Sequence, residues 1–358
     1  MRIKFCVPLN MYDLTTMNLE EMNRKLFDIC KVELHCHLEL AFRASTLREW
    51  ALEDGFELES DEDFEKEFLI LKPMDDLLAV LNKFLHTRDR LSSLTMIERL
   101  AFEACEDMYL KSNVRLLELR YAPSFILEVF PEFGAVKLHE AIMKGCTRAE
   151  TMYPMAVGLI CLLQRNKTNK ENMYWCDFAI ERKGEFLAVD LADDEVGYPP
   201  EPFAPIFHKA KAAGLGVTIH AGEPALPQAA KNIITSIDLL HADRIGHGVQ
   251  AIHDEKVIQR LVDENIPLEL CPTSNWLTQA VPNLSDHPLK KLMEMGVRTT
   301  INSDDPGAMG IDLMDEYHIA HHILRMSLDQ IKQCNTWAAE ASYIPETKKK
   351  KVWYNKIS

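Results

Sequence analysis

The sequence is short of positive charge: 40 Lys and Arg stand against 55 Asp and Glu in 358 residues, a formal net charge of -15. A surface of that sign repels phosphate backbones and anionic headgroups. No nucleic-acid or membrane partner is therefore expected, and a small neutral or locally neutralised substrate fits better. Paired cysteines are missing too. The nine cysteines, an odd number, run from Cys6 to Cys334 with no CxxC spacing, which argues against a disulfide framework and for a reducing compartment. The first thirty residues mix Asp13, Glu20, Glu21 and Lys25 among their apolar positions. They hold no secretory h-region, and no apolar run of about 18 residues follows elsewhere. The expected location is the cytoplasm. Repeats, low-complexity linkers and composition breaks are also lacking, so residues 1–358 read as one domain; nothing in the sequence bears on oligomeric state.

What is present suits a large soluble α/β fold, with 47% hydrophobic and 27% charged residues. Eight short apolar, β-branched segments read as strands: Val32–His37, Val114–Tyr121, Ala156–Leu163, Phe186–Leu191, Gly216–His220, Arg244–Gly246, Pro267–Cys271 and Arg298–Asn302. Helical stretches separate them, which implies a parallel sheet closed as a (β/α)8 TIM barrel. Between the first two strands a helical insertion covers about residues 40–112. Its segment Met74–Leu91 has an apolar stripe of Met74, Leu77, Leu78, Leu81 and Phe84. An insertion there lies on the catalytic face, so the stripe is either part of a lid or simply packs on the barrel. The run Lys348–Lys351 reads as a solvated helix end or tail.

Chemistry-bearing residues gather at strand ends. His35-Cys36-His37 places two imidazoles on one face of the first strand. His220 ends the fifth, followed by Ala221, Gly222 and Glu223; His247 follows the sixth between Gly246 and Gly248; Asp304 and Asp305 close the eighth. Each has a plain structural alternative, since Asp-Asp-Pro-Gly is ordinary turn chemistry and glycine-flanked histidines are common in loops. Their shared position at one rim of a barrel points instead to a metal site. His35, His37, His220 and Asp304 are an N/O donor set suited to one Zn²⁺ per chain, with room for solvent. The fourth strand ends Val189-Asp190-Leu191-Ala192-Asp193-Asp194, without the lysine common in binuclear relatives of this fold. One metal is expected, with Asp190 or Asp193 as bridges should a second be bound.

These motifs resemble the adenosine deaminase family of metal-dependent amidohydrolases. HCHL at 35–38, LRYAP at 119–123, VDLADDE at 189–195, HAGE at 220–223, RIGHG at 244–248, LCPTSN at 270–275 and SDDPG at 303–307 occur in family order. The resemblance implies zinc ligands His35, His37, His220 and Asp304, with Glu223 as proton donor to ring nitrogen N1. It implies that His247 orients or deprotonates the water the metal activates. Asp305 would accept a hydrogen bond from purine N7 or help align the attacking oxygen. Glu39, Asp193, Gly222 and Asp305 would bind substrate.

The implied reaction is deamination of adenosine or deoxyadenosine to the 6-oxo purine with release of ammonia, in purine metabolism. Two positions depart from the family pattern. Glu39-Leu40 stand where HxHLDG is usual, at the contact to the ribose 5′-hydroxyl, and Asp193 replaces the glycine of DLAGDE, whose N–H meets purine N3. Both touch groups that hold the purine nucleoside, so free adenine, 5′-modified or N6-substituted adenosine and AMP are alternative substrates. Arg43, Arg48 or Lys83 would be the candidates to meet a phosphate. An ester or amide hydrolase on the same scaffold would leave Glu223 unexplained, and a non-enzymatic role would not need all four ligands.

Overall fold

The computed structural model describes residues 19–53, 55, 60–74 and 77–353. A helix, α1 (Leu19–Asp28), leads into β1 (Lys31–His37). The remaining strands are β2 (Val114–Tyr121), β3 (Ala156–Gln164), β4 (Phe186–Ala192), β5 (Gly216–Ala221), β6 (Arg244–His247), β7 (Leu268–Leu270) and β8 (Thr299–Ile301). They pair in sequence order, every pair parallel. Each expected strand is present, with helices between, so the chain is a nearly closed (β/α)8 TIM barrel. Apolar runs such as Ala156–Leu163 are unbroken because helices cover one face of the strand and the barrel interior the other; all of β3 is buried. The last two strands are shorter than expected. Pro267 has no N–H to give a ladder, and past Ile301 side chains take over part of the pairing.

That takeover closes the barrel. Between β8 and β1 the backbone pairs only around Cys36 and Asp304, through His37 N to Asp304 O and Asp304 N to His35 O, both 2.9 Å. Side chains staple the rest. Asn302 Oδ1 accepts from Leu34 N (3.2 Å). The buried Glu33 carboxylate accepts from His35 N (2.8 Å), Ser303 N (2.8 Å) and Ser303 Oγ (2.7 Å).

Among the described residues four helices fill the insertion: α2 (Ala44–Glu53), α3 (Asp61–Phe68), α4 (Leu77–Arg88) and α5 (Leu94–Ser112). Ser93 caps α5, and Asn113, in the left-handed region at φ 55°, ends it and turns the chain into β2. The apolar stripe does both things open to it. Met74 and Phe84 pack against a cluster of Ile70, Val80, Leu277 and Met309, while Leu81 and Phe84 line the cavity above the barrel. The side chains of Leu77 and Leu78 lie outside the described residues. The lysine run needs correction. It forms a helix, Glu346–Val352, in which Lys349 is buried and its Nζ donates to the carbonyls of Ala339 and Ser342, 2.8 Å each. A long aliphatic stem lets this one ammonium reach carbonyls under the barrel while its neighbours stay in water. Among the described residues no helix is long and apolar enough to cross a membrane.

Removing the Glu33 staple should be costly, because it strands two buried backbone N–H groups at the seam. Glu33→Ala is expected to lower unfolding free energy by about 2–4 kcal/mol in urea denaturation; a change within about 0.5 kcal/mol would show the seam does not depend on it.

Candidate active site

Barrel closure brings the strand-end residues to one point. His35 and His37 end β1, His220 lies near the end of β5, and Asp304 follows β8; their donor atoms all lie within 4.8 Å of one another. His37 Nε2 is 3.2 Å from His220 Nε2, and Asp304 Oδ1 is 3.2 Å from both His35 Nε2 and His37 Nε2. A tetrahedral zinc with bonds of about 2.0–2.1 Å sets its donors about 3.3 Å apart. His35 Nε2 and Asp304 Oδ1 are moreover buried without a hydrogen-bond partner. Buried polar atoms are rarely left so, and a cation at their centre would satisfy both. The residues fit zinc.

The outer ring nitrogens are tied down. His35 Nδ1 meets Glu269 Oε2 at 2.8 Å, and His220 Nδ1 lies 3.1 Å from Asp190. Such bonds turn Nε2 toward the metal and raise its basicity. Arg120 joins the two carboxylates, donating to Asp190 Oδ2 (2.6 Å) and Glu269 Oε2 (2.7 Å). Arg244 in turn donates to Glu269 Oε1 (2.6 Å) and Glu118 Oε2 (2.7 Å). Asp190 is thereby occupied, and Asp193 accepts from Gln164 Nε2 at 2.9 Å. Neither belongs to the donor groups found among the described residues, so the option of a second metal bridged by them is withdrawn. Gly246 is needed at this point, since a Cβ there would lie 3.0 Å from the His35 ring. Asp304 and His247 hold φ of 61° and 59°, a conformation uncommon outside glycine and concentrated at functional sites.

Glu223, just past β5, is 5% exposed. Burial, helped by the charge of Asp304, pushes its carboxyl up to about 8, and Thr278 Oγ1 donates to Oε1 at 3.0 Å. His247 Nε2 lies 3.6 Å from Glu223 Oε2; burial pushes its imidazole well below the usual range, so the ring is neutral. Asp305 is buried with Oδ1 lacking a partner, and burial beside Asp304 pushes its carboxyl well up. This reverses the hydrogen bond expected for it. N7 of an adenine nucleoside is an acceptor, so Asp305 would meet it as a protonated donor.

These groups form one end of a pocket open to solvent whose walls include Leu40, Leu81, Phe84, Phe125 and Leu162. Glu39 lies on its lining, in the 3₁₀ turn Leu38–Leu40, with Oε1 accepting from Ala122 N at 2.8 Å and burial pushing its carboxyl up to about 7. Asp193 also lines it, at φ 82°. That left-handed backbone is the reason a glycine suits the position. Gly222 does not line the cavity, and its N–H donates to Glu195 Oε1 at 2.8 Å. No lysine or arginine appears among the lining residues described. Arg43 is held by Glu106 and Asp107 (2.5 and 2.6 Å), Arg48 by Asp61 (3.0 Å) and Lys83 by the Lys66 and Leu69 carbonyls. These three do not form a phosphate site.

Sequence reasoning assigned no role to Glu269, Arg120, Thr278, Asn275 or Glu195. One signal was available for the first: a carboxylate at the centre of Leu268-Glu269-Leu270 is a charge inside an apolar strand, which requires a partner.

Comparison with known proteins agrees with the geometry. A family model described as adenosine deaminase matches residues 30–357. The adenosine deaminase of Plasmodium falciparum (isolate 3D7) is 31% identical over 346 residues, 95% of this chain and 92% of that protein. Among solved structures, an adenine deaminase from Arthrobacter aurescens superposes with TM-score 0.81 at 25% identity, covering 89% of this chain and 95% of its own. An N6-methyl-AMP deaminase from Arabidopsis thaliana shares the fold, with TM-score 0.78 at 24% identity over 92% and 96% of the two chains. The chain belongs to the adenosine deaminase family and is a hydrolytic aminohydrolase.

Proposed function

We propose that this chain is a zinc-dependent deaminase that converts adenosine or deoxyadenosine and water to the 6-oxo nucleoside and ammonia. The observation that carries the reading is Glu223, a carboxyl held protonated near neutral pH beside a four-donor metal cluster. His35, His37, His220 and Asp304 would hold zinc, which lowers the pKa of water to about 7 and so supplies a nucleophile at neutral pH. Attack at C6 breaks ring aromaticity, and the electron pair pushed onto N1 must be met by a proton. Glu223 delivers it, and Thr278 keeps the carboxyl turned for the transfer. Asp305 donates to N7 and fixes the ring in its plane. His247 faces the attacking oxygen. The proton of the hydroxyl added at C6 passes to N6, the C6–N6 bond breaks, and ammonia leaves as the C6–O bond closes to the 6-oxo group.

The cavity favours a nucleoside over a nucleotide. Its described lining has no lysine or arginine and carries the carboxyl groups of Glu39 and Asp193, so a 5′-phosphate would meet carboxyl groups and lose its hydration unpaired. Free adenine would leave the polar group of Glu39 without a sugar hydroxyl. The same reading treats α4 as a cover that keeps bulk water from the reacting ring.

Two outcomes test it. Glu223→Gln keeps the shape but has no acidic proton, and turnover should fall roughly 10² or more while zinc stays bound. The raised carboxyl also sets a sign: the acid form is present below about 8 and is lost as pH rises through that value. Wild-type kcat/KM should therefore decline above about pH 8; a flat alkaline limb, or near-normal turnover of the Gln variant, contradicts the role.

On substrates, adenosine should exceed free adenine by at least about tenfold in kcat/KM, with AMP slower still, and Glu39→Ala should erase most of the adenosine–adenine gap. Equal rates on adenine and adenosine would move the assignment to a free-base deaminase.

A further inference from the structure

His247 stands at the end of a hydrogen-bond chain whose directions can be worked out from the other end. The backbone N–H of Leu289 can only donate, and it lies 3.2 Å from His287 Nδ1. Nδ1 of His287 must accept, so that ring is neutral and carries its proton on Nε2. His287 Nε2 lies 3.1 Å from Asn275 Oδ1 and donates to it. This orients the amide, with Nδ2 placed 3.1 Å from His247 Nδ1. An amide nitrogen cannot accept, so His247 Nδ1 does. A neutral His247 then carries its proton on Nε2, the atom that faces Glu223 Oε2 at 3.6 Å and Asp304 Oδ2 at 3.9 Å.

The three side chains are all buried, so the bonds of the chain are shielded from bulk water. The backbone supports the arrangement. His247 adopts φ 59°, and Asn275 N donates to Cys271 O at 2.9 Å, seating the amide in the short helix Pro272–Leu277 after β7.

Tautomer decides what an imidazole can do. A ring with N–H at Nε2 is a donor on the cavity side. It has no lone pair there to take a proton, and its only lone pair, on Nδ1, is covered by Asn275. We propose that His287 and Asn275 are positioning residues that lock His247 in the Nε2–H tautomer, making it a hydrogen-bond donor to the attacking oxygen rather than the base that deprotonates it. This rests on the deaminase reading above and selects between the two roles that the family resemblance left open for His247.

The test uses the zinc-loaded enzyme labelled with ¹⁵N-histidine. The His247 resonances, assigned by their loss in His247→Gln, should show a protonated Nε2 and a bare Nδ1. Asn275→Asp is the diagnostic variant. Its carboxylate can still accept from His287 and now accepts from His247 as well, so the proton should move to Nδ1. With the tautomer reversed, kcat should fall roughly 10²-fold or more, with KM for adenosine changed less than about threefold and zinc retained. His287→Gln can still donate to Asn275 Oδ1 and should keep kcat within about fivefold, whereas His287→Leu should not. A bare Nε2 in the wild-type spectrum overturns the proposal whatever the variants do. So does an Asn275→Asp enzyme with wild-type kcat. Should Asn275→Asp fail to fold, the wild-type spectrum and the Gln–Leu contrast at His287 decide. Failure of the deaminase reading would look different: wild-type protein inactive on adenosine, with the tautomer as expected.

Discussion

Two backbone hydrogen bonds between His35, His37 and Asp304 carry more of this structure than their number suggests. They are where β8 meets β1, and at that seam the barrel is completed by side chains as much as by backbone. The seam is also where three of the four metal-ligating candidates lie. Closing the barrel and assembling the donor cluster are thus one event. A shift of one residue in the pairing would turn His35 and His37 away from the interior. Glu33 and Asn302, buried polar residues that serve no chemistry directly, guard that register.

Beneath the cluster lie five buried ions: Glu118, Arg120, Asp190, Arg244 and Glu269. Such a group is a poor source of stability, because desolvation offsets much of the attraction between the charges. Its geometry explains it better. Arg120 spans the two carboxylates that hold His35 and His220, and Arg244 ties Glu269 to Glu118, which accepts from Ser342 Oγ and Tyr343 N in the segment under the barrel floor. The imidazoles are thereby referenced to the rigid floor and not to mobile loops, in keeping with the precision a metal site needs.

Much of this was legible in the sequence, and the reason is physical. Parallel barrel strands are buried on both faces, so they appear as apolar runs, and the fold places function at their ends; His35, His37, His220, Glu223, His247, Asp304 and Asp305 could be found that way. What escaped depends on distance along the chain. Glu269 reaches His35 across 234 residues and Arg120 across 149, and no local pattern records such pairs. The hydrogen bond expected of Asp305 was reversed, since N7 has no hydrogen to donate; that the carboxyl itself holds the proton follows from burial beside Asp304, which only three dimensions supply. Lys349 was misread for the same reason: a lysine run looks solvated until a carbonyl-lined niche under the barrel is seen.

The central claim is that one metal, held at the seam, enables hydrolytic removal of a purine 6-amino group. The most direct measurement is a zinc titration of metal-free enzyme followed by ammonia release from adenosine. Activity should rise linearly and break at about one zinc per chain. A break near two, or no ammonia at any zinc level, would contradict the account.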